Sequence, residues 1–288
     1  MNSVIPTDAI GIGEYAFWNC AKLGEIVIPS SVTTVGANAF LGCTNALILC
    51  EAESKPSGWA SDWVPSGISV FWGYTGKGEN QGLKWISTTS GAAIYQYSGT
   101  GTTLNIPEIV SGTVKSIDGG VFSGSSTLES ITLPFVGKSQ GATSASRSTL
   151  FGYIFGTSNY EGSIKITQHY RSGRNFYPVD YYIPASLKSV TITGGNILTY
   201  ALEDCSTLTN VTIGSGVASI DSSAFKNCTN VLTYDFSSCT SIPTLSSTSA
   251  FSGINANCKI RVPASLYSDW ITATNWSTYA SYIEAVEV

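Results

Sequence analysis

Charge is what this sequence has least of. Lys, Arg, Asp and Glu together make 11% of its 288 residues, against roughly 25% in ordinary soluble domains. The 14 basic residues form no run, and the net charge is −5. Nucleic acid is thereby excluded as a partner, because phosphates need clustered Lys and Arg. The longest aliphatic stretch, Ala46-Leu47-Ile48-Leu49, is far too short to span a bilayer. Met1 to Pro6 has neither the basic start nor the apolar run of a signal peptide, so the protein stays inside or its leader has been removed. No CxxC occurs, and the seven cysteines are odd in number, which argues against a zinc or disulfide framework. No DxDxDG calcium loop is present. There is one histidine, His169, so any Ser-His-acid or Cys-His chemistry would have to use it. No serine motif stands near it, and a solvated or stacking histidine on a surface loop is the expected role. No catalytic set, metal or cofactor is expected.

Ser, Thr, Asn and Gly fill the space left by charge, and they do so periodically. Ile12-Gly13-Glu14-Tyr15-Ala16-Phe17-Trp18-Asn19-Cys20 aligns with Val35-Gly36-Ala37-Asn38-Ala39-Phe40-Leu41-Gly42-Cys43 at a spacing of 23 residues. Ile197, Leu202, Cys205 and Leu208 recur as Ile220, Phe225, Cys228 and Val231 at the same spacing. Ile117 to Phe122, followed by Ser125, is a further copy with serine in the cysteine position. Fixed periods of this length mark solenoids. Leu23 to Pro29 alternates apolar with small or polar residues, as a half-buried strand does, and Leu128, Leu187 and Leu208 begin the same pattern. The Ala-Phe-x-x-Cys piece is too short for a free helix and reads as one helical or 3₁₀ turn. Its Phe and Cys should point inward, because one unit cannot bury its own apolar face and must stack on its neighbours. Phe17, Phe40, Phe122, Leu202 and Phe225 are the expected equivalent interior residues. Cys20, Cys43, Cys205 and Cys228 are expected to be reduced and buried.

These segments, IGEYAFWNC (12–20), VTTVGANAFLGC (32–43) and VASIDSSAFKNC (217–228), resemble the BspA-like leucine-rich repeat family of bacterial surface and secreted proteins. So do the linking pieces CEAESKPSGW, LPFVG, FGYIFG and ATNWSTYASYI. The resemblance implies a leucine-rich-repeat solenoid: a parallel β-sheet on one face, short helical or 3₁₀ turns and loops on the other, and a small helical C-terminal cap. It also implies an extracellular or cell-surface location and a protein or glycan ligand. The chain opens on the tail of a repeat, which reads as a slice of a longer protein or a rudimentary N-terminal cap.

Three regions are expected. Residues 1–78 hold N-terminal repeats and a Trp-rich irregular segment, with Lys77 to Gly82 as a linker. Residues 79–263 form a second array with an insertion at about 135–186. Residues 264–288 form the helical cap, with Trp270 and Trp276 plugging the stack. Long insertions in solenoids tend to be functional. This one concentrates aromatics beside basic groups, which makes Tyr160, His169, Arg171, Arg174 and Tyr177 the candidate ligand-binding residues; packing on the solenoid is the alternative. The strand pattern also turns Thr132, Thr191, Asn210, Thr212 and Asp235 outward onto a concave hydroxyl-rich face. Glu203-Asp204 lies where other copies have Trp18-Asn19 and Leu41-Gly42, and so reads as exposed turn. The expected function is a non-enzymatic interaction protein. A structural spacer displaying another domain is the second reading, and a carbohydrate-active enzyme a distant third.

Overall fold

The computed structural model describes residues 3–110 and 112–287. The chain divides into two compact units, residues 1–78 with 86–92 and residues 79–85 with 93–288. Each is a parallel solenoid.

In the first unit, Ser3–Val4, Glu25–Ile28, Leu47–Cys50 and Ser69–Trp72 pair in parallel and in chain order. The second sheet runs Thr103–Asn105, Ser130–Leu133, Ser189–Ile197, Asn210–Ile220, Thr233–Asp235, Lys259–Pro263 and Ile283–Val286. All these pairings are parallel too. In each strand the even-spaced apolar residues face inward: Ile26 and Ile28, Ile131 and Leu133, Val211 and Ile213 are buried.

The opposite side of each repeat is a string of tight turns. In the first copy Ala16, Trp18 and Cys20 donate to the carbonyls of Gly13, Tyr15 and Phe17. Alternate N–H groups point along the stack instead. Those of Tyr15, Phe17 and Asn19 reach the carbonyls of Ala37, Ala39 and Leu41 in the next repeat. The same ladder returns where Leu202 and Asp204 donate to Ala224 and Lys226, and where Phe225 and Asn227 donate to Ala250 and Ser252. Each piece is thus built of single turns with i→i−3 bonds, as expected, and does not extend into a helix. The residue before each cysteine takes the left-handed conformation: Asn19 (φ 54°), Gly42 (84°), Asp204 (57°) and Asn227 (59°). Asn, Asp and Gly tolerate it best, so the position is restricted in type and does not vary freely.

Phe40, Phe122, Leu202 and Phe225 are fully buried, as the repeat predicts. Phe17 is only half-buried, though its ring stacks on Phe40 at 4.9 Å and 11°. The thiols follow the same gradient. Cys43 and Cys228 are buried and donate Sγ–H to the carbonyls of Phe17 and Leu202, 2.9 and 3.0 Å away. Cys205 is buried as well, but Cys20 is exposed. It lies in the first turn described, covered only on the side of residues 38–43, so the expectation of burial is corrected there. Burial pushes the Cys50 and Cys228 thiols up to about 12 and those of Cys239 and Cys258 up to about 11. A thiolate-specific reagent at pH 8 should therefore label one thiol, Cys20, quickly, and the other six only on unfolding. Two or more fast equivalents in a native thiol count would contradict this packing.

Three expectations change. Residues 77–82 are no linker: they end strand Tyr74–Asn80 and enter Leu83–Thr88 through a Gln81-Gly82 turn, both residues at positive φ. Alternating exposure along Tyr74–Asn80 explains why a polar, glycine-containing segment is a strand. The C-terminal segment has its short helices, Tyr267–Trp270 and the 3₁₀ turn Trp276–Tyr282, with Trp270 and Trp276 buried as plugs. It then closes with strand Ile283–Val286, which extends the sheet. Lastly, the stretch at about 135–186 is two things. Phe151–Ile154 is a 3₁₀ turn stacked between neighbouring repeats, since Phe122 donates to Ile154 and Phe151 donates to Ala201. Phe151, Ile154 and Phe155 fill the interior there, so this part is a repeat written in other letters. What remains, residues 163–184, leaves the stack.

Candidate functional site

Ser163–Ser172 and Asn175–Pro184 pair antiparallel over ten residue pairs. Ser172 faces Asn175, leaving the two-residue loop Gly173-Arg174. Gly173 has φ 61°, the requirement at the first central position of a type II′ turn, whose twist suits a hairpin. This antiparallel pair stands apart from the parallel sheet formed by the repeats of the second unit.

The root of the hairpin is built into the stack. Ile166, Gln168, Tyr181 and Ile183 are buried. Gln168 is fully enclosed, and its amide does the work of a missing ladder rung. Its Oε1 accepts from Gly152 N–H at 2.8 Å, and its Nε2 donates to the carbonyls of Ala201 (3.0 Å) and Glu203 (3.1 Å). Between residues 151–155 and 201–205 the repeats bond directly through Phe151 to Ala201; Gln168 supplies partners where they splay.

Beside it lies Glu203, whose expected place on an exposed turn is wrong. Trp18 and Leu41, its equivalents in other repeats, are exposed, whereas Glu203 has no exposure at all. The hairpin covers it. Its Oε2 accepts from the His169 backbone N–H (3.0 Å) and lies 2.8 Å from His169 Nδ1. Its Oε1 accepts from Lys226 Nζ at 2.8 Å. The hydrogen bond to Glu203 raises the Lys226 ammonium above its ordinary value. A buried carboxylate needs such partners, because desolvation otherwise costs several kcal/mol (about 3–5 when a partner is removed). His169 sits on a strand rather than a loop, and its ring stacks on Phe176 at 4.5 Å and 8°. Phe176 meets Tyr200 edge-on at 5.1 Å.

Beyond His169 the hairpin is exposed. Arg171, Arg174, Phe176 and Tyr177 stand in solvent, with Phe176 45% and Tyr177 40% accessible. Tyr170 stacks on Tyr177 at 5.4 Å, and Asn175 Nδ2 donates to the Tyr177 hydroxyl. No ion pair engages either arginine among the described residues. Of the five sequence candidates, Arg171, Arg174 and Tyr177 meet at this tip. His169 is an anchor at mid-strand. Tyr160 stands at the foot, half-buried, where burial raises its hydroxyl to about 12. Nine residues at about 3.3 Å each put the foot roughly 30 Å from the tip. Tyr170 and Phe176 were passed over as site residues; the register that pairs Tyr170 with Tyr177 and Arg171 with Phe176 is the signal that finds them.

The outward sheet face is a second candidate. Thr132, Thr191, Thr212 and Asp235 stand in one register row, continued by Arg261 and Glu284, while Asn210 stands in the next row with Ser189 and Thr233. All are at least partly exposed. Arg261 bridges Asp235 (3.7 Å) and Glu284 (3.8 Å), so one guanidinium serves both of the row's carboxylates. Among the described residues no group of three His, Cys, Asp or Glu could hold a metal, and no helix is long and apolar enough to cross a membrane.

A model of the BspA-type leucine-rich repeat region matches residues 1–54 and 180–269, in six copies. The chain belongs to the BspA-type leucine-rich repeat family. Residues 55–179 lie outside the match, with the Trp-rich segment, the copy at 117–125, the turn carrying Phe151 and most of the hairpin. No curated protein matches this BspA-type chain in sequence. Among solved structures it is similar to a leucine-rich repeat protein from Eubacterium ventriosum, at 14% identity and a TM-score of 0.31, covering 88% of this chain and 82% of that one. A leucine-rich cell surface protein from Faecalibacterium prausnitzii matches at 19% and 0.25, over 99% and 78%. The pneumococcal vaccine antigen PcpA matches at 13% and 0.30, over 99% and 78%.

Proposed function

We propose that this BspA-type chain is a non-enzymatic interaction protein of the cell surface or the secreted space, and that it grips a protein or glycan with the tip of the 163–184 hairpin. One observation carries the reading: aromatic and guanidinium groups stand exposed on a tip whose root is fully built into the solenoid. Tyr, Phe and Arg give large contact area with directional bonds and dominate interface energetics. A rigid root lowers the ordering cost of binding. A spacer would have no use for an ordered, exposed aromatic tip. As for chemistry at Glu203 and His169, both Glu203 oxygens are engaged by His169 and Lys226, and among the described residues no hydroxyl or thiol is hydrogen-bonded to the His169 ring. The hydroxyl row with Thr132, Thr191, Thr212 and Asp235, flanked by Asn210, is the second reading, favoured by its regular register.

A screen against extracellular-matrix proteins and glycan arrays identifies the partner, and the variant Arg171→Ala/Arg174→Ala tests the site. Binding should weaken by about 30-fold or more, the loss of a hot spot worth about 2 kcal/mol or more. The melting temperature should stay within about 1 °C, since exposed residues outside special sites change stability little. A variant that keeps its partner but melts earlier would make the tip scaffold and move the binding face to the hydroxyl row.

A further inference from the structure

At the base of the same unit, and sharing no residue with the tip, an open depression of about 360 Å³ lies where the 118–125 turn, the Phe151–Ile154 turn and the loop into the hairpin converge. That volume is at the small end of the roughly 300–1,000 Å³ typical of small-molecule sites. It admits one or two sugar units and is too small for a folded partner. Its lining is polar in a particular way. Ser123, Thr157 and Ser158 bring hydroxyls, Tyr153 brings a ring, and Arg147 brings a guanidinium. Gly119 completes the floor: a Cβ there would come within 2.9 Å of the Tyr153 ring, so glycine is what lets that ring lie against the backbone.

Arg147 is the informative residue. It has no carboxylate within ion-pair distance among the described residues. Asp118, next to the lining residue Gly119, is engaged with Lys138 at 4.0 Å. The Arg147 backbone is held: its carbonyl accepts from the buried Tyr181 hydroxyl at 3.1 Å, and the turn is pinned by reciprocal bonds between Ser146 and Thr149, while the side chain itself is exposed. In a chain of net charge −5, a cation without a carboxylate partner, rooted in an anchored turn at a hydroxyl-lined hollow, marks a place for an anion. A planar guanidinium fits a carboxylate with two parallel bonds. The aromatic ring fits the C–H face of a pyranose, and the hydroxyls fit its equatorial groups.

We propose that this depression binds a carboxylate-bearing sugar unit of an acidic glycan, with Arg147 holding the carboxylate and Tyr153 the ring. The site differs from the hairpin tip and does not depend on what the tip binds.

Titration of the full chain with methyl glucuronide, methyl glucoside and sulfate, followed by ligand-detected NMR, is the test. The glucuronide should saturate the site, the glucoside should bind at least about tenfold more weakly, and sulfate should not displace the glucuronide at equal concentration. Arg147→Ala should lower glucuronide affinity by about 10- to 100-fold, the range for a charge-assisted bond, with unchanged melting. Arg147→Lys should fall between, keeping charge without the fork. Equal binding of the two sugars, an indifferent Arg147→Ala, or sulfate competing as well as the glucuronide would each overturn the proposal.

Discussion

Gln168→Ala is expected to lower stability by about 3–5 kcal/mol, although it removes a single uncharged side chain. Two buried backbone groups, the Gly152 N–H and the Glu203 carbonyl, lose their partner together, and the Ala201 carbonyl is left with the Phe151 N–H alone. Each unsatisfied buried group costs roughly 1–3 kcal/mol, and partial entry of water keeps the total below the sum. Leucine of similar length should do no better, because shape without donors leaves the same groups bare. A solenoid's stability is distributed over its repeats and need not unfold in one step. Hydrogen exchange is therefore the sharper reading, alongside the urea midpoint. Amides of residues 150–156 and 163–184 should lose protection, while those of Asn210–Ile220 keep theirs. If protection of the hairpin survives in Gln168→Ala, the amide is not its anchor.

The second large effect compares residues that share a repeat position. Phe225→Ala should cost about 3–5 kcal/mol, the usual loss for a buried aromatic ring. Phe225 is fully buried, stacks on Phe251 at 5.2 Å and 10°, and meets Tyr234 edge-on at 5.2 Å. Phe17→Ala should cost roughly 1–2 kcal/mol, because a half-buried ring gives up less apolar area. Paired denaturation curves decide it. Equal losses would mean that repeat position alone, and not cover from both neighbours, sets the energy.

That comparison also marks how far the sequence can be read. The period and its letters place Phe40, Phe122, Leu202 and Phe225 in the interior, since an apolar residue recurring at 23 has nowhere else to go. Cover is a different matter. Nothing in the letters around Cys20 separates it from Cys43, yet in the structure Cys20 is exposed and Cys43 is buried. Phe151 is the opposite case. Its turn occupies a repeat's place without the Ala-Phe-x-x-Cys spelling, so it is read as part of an insertion. The tip residues Arg171, Arg174 and Tyr177 were legible as an aromatic and basic concentration. Glu203 was not, because its burial comes from a hairpin that starts forty residues earlier in the chain. Its neighbour Asp204 was read from position as turn, and its left-handed backbone is what sets the choice of residue there.

The hairpin's geometry has a mechanical side. A pull on residues 172–175 away from the stack runs along both strands, and the turn shares it between them. The rungs between Ser163–Ser172 and Asn175–Pro184 are thus not opened one after another, as they would be if the two ends were drawn apart. Tension passes to the root, where Gln168 is bonded to both neighbouring turns and Glu203 holds the His169 backbone. Several bonds must then fail at once for the arm to tear free. An arm pulled by its tip is thus loaded in its strong direction.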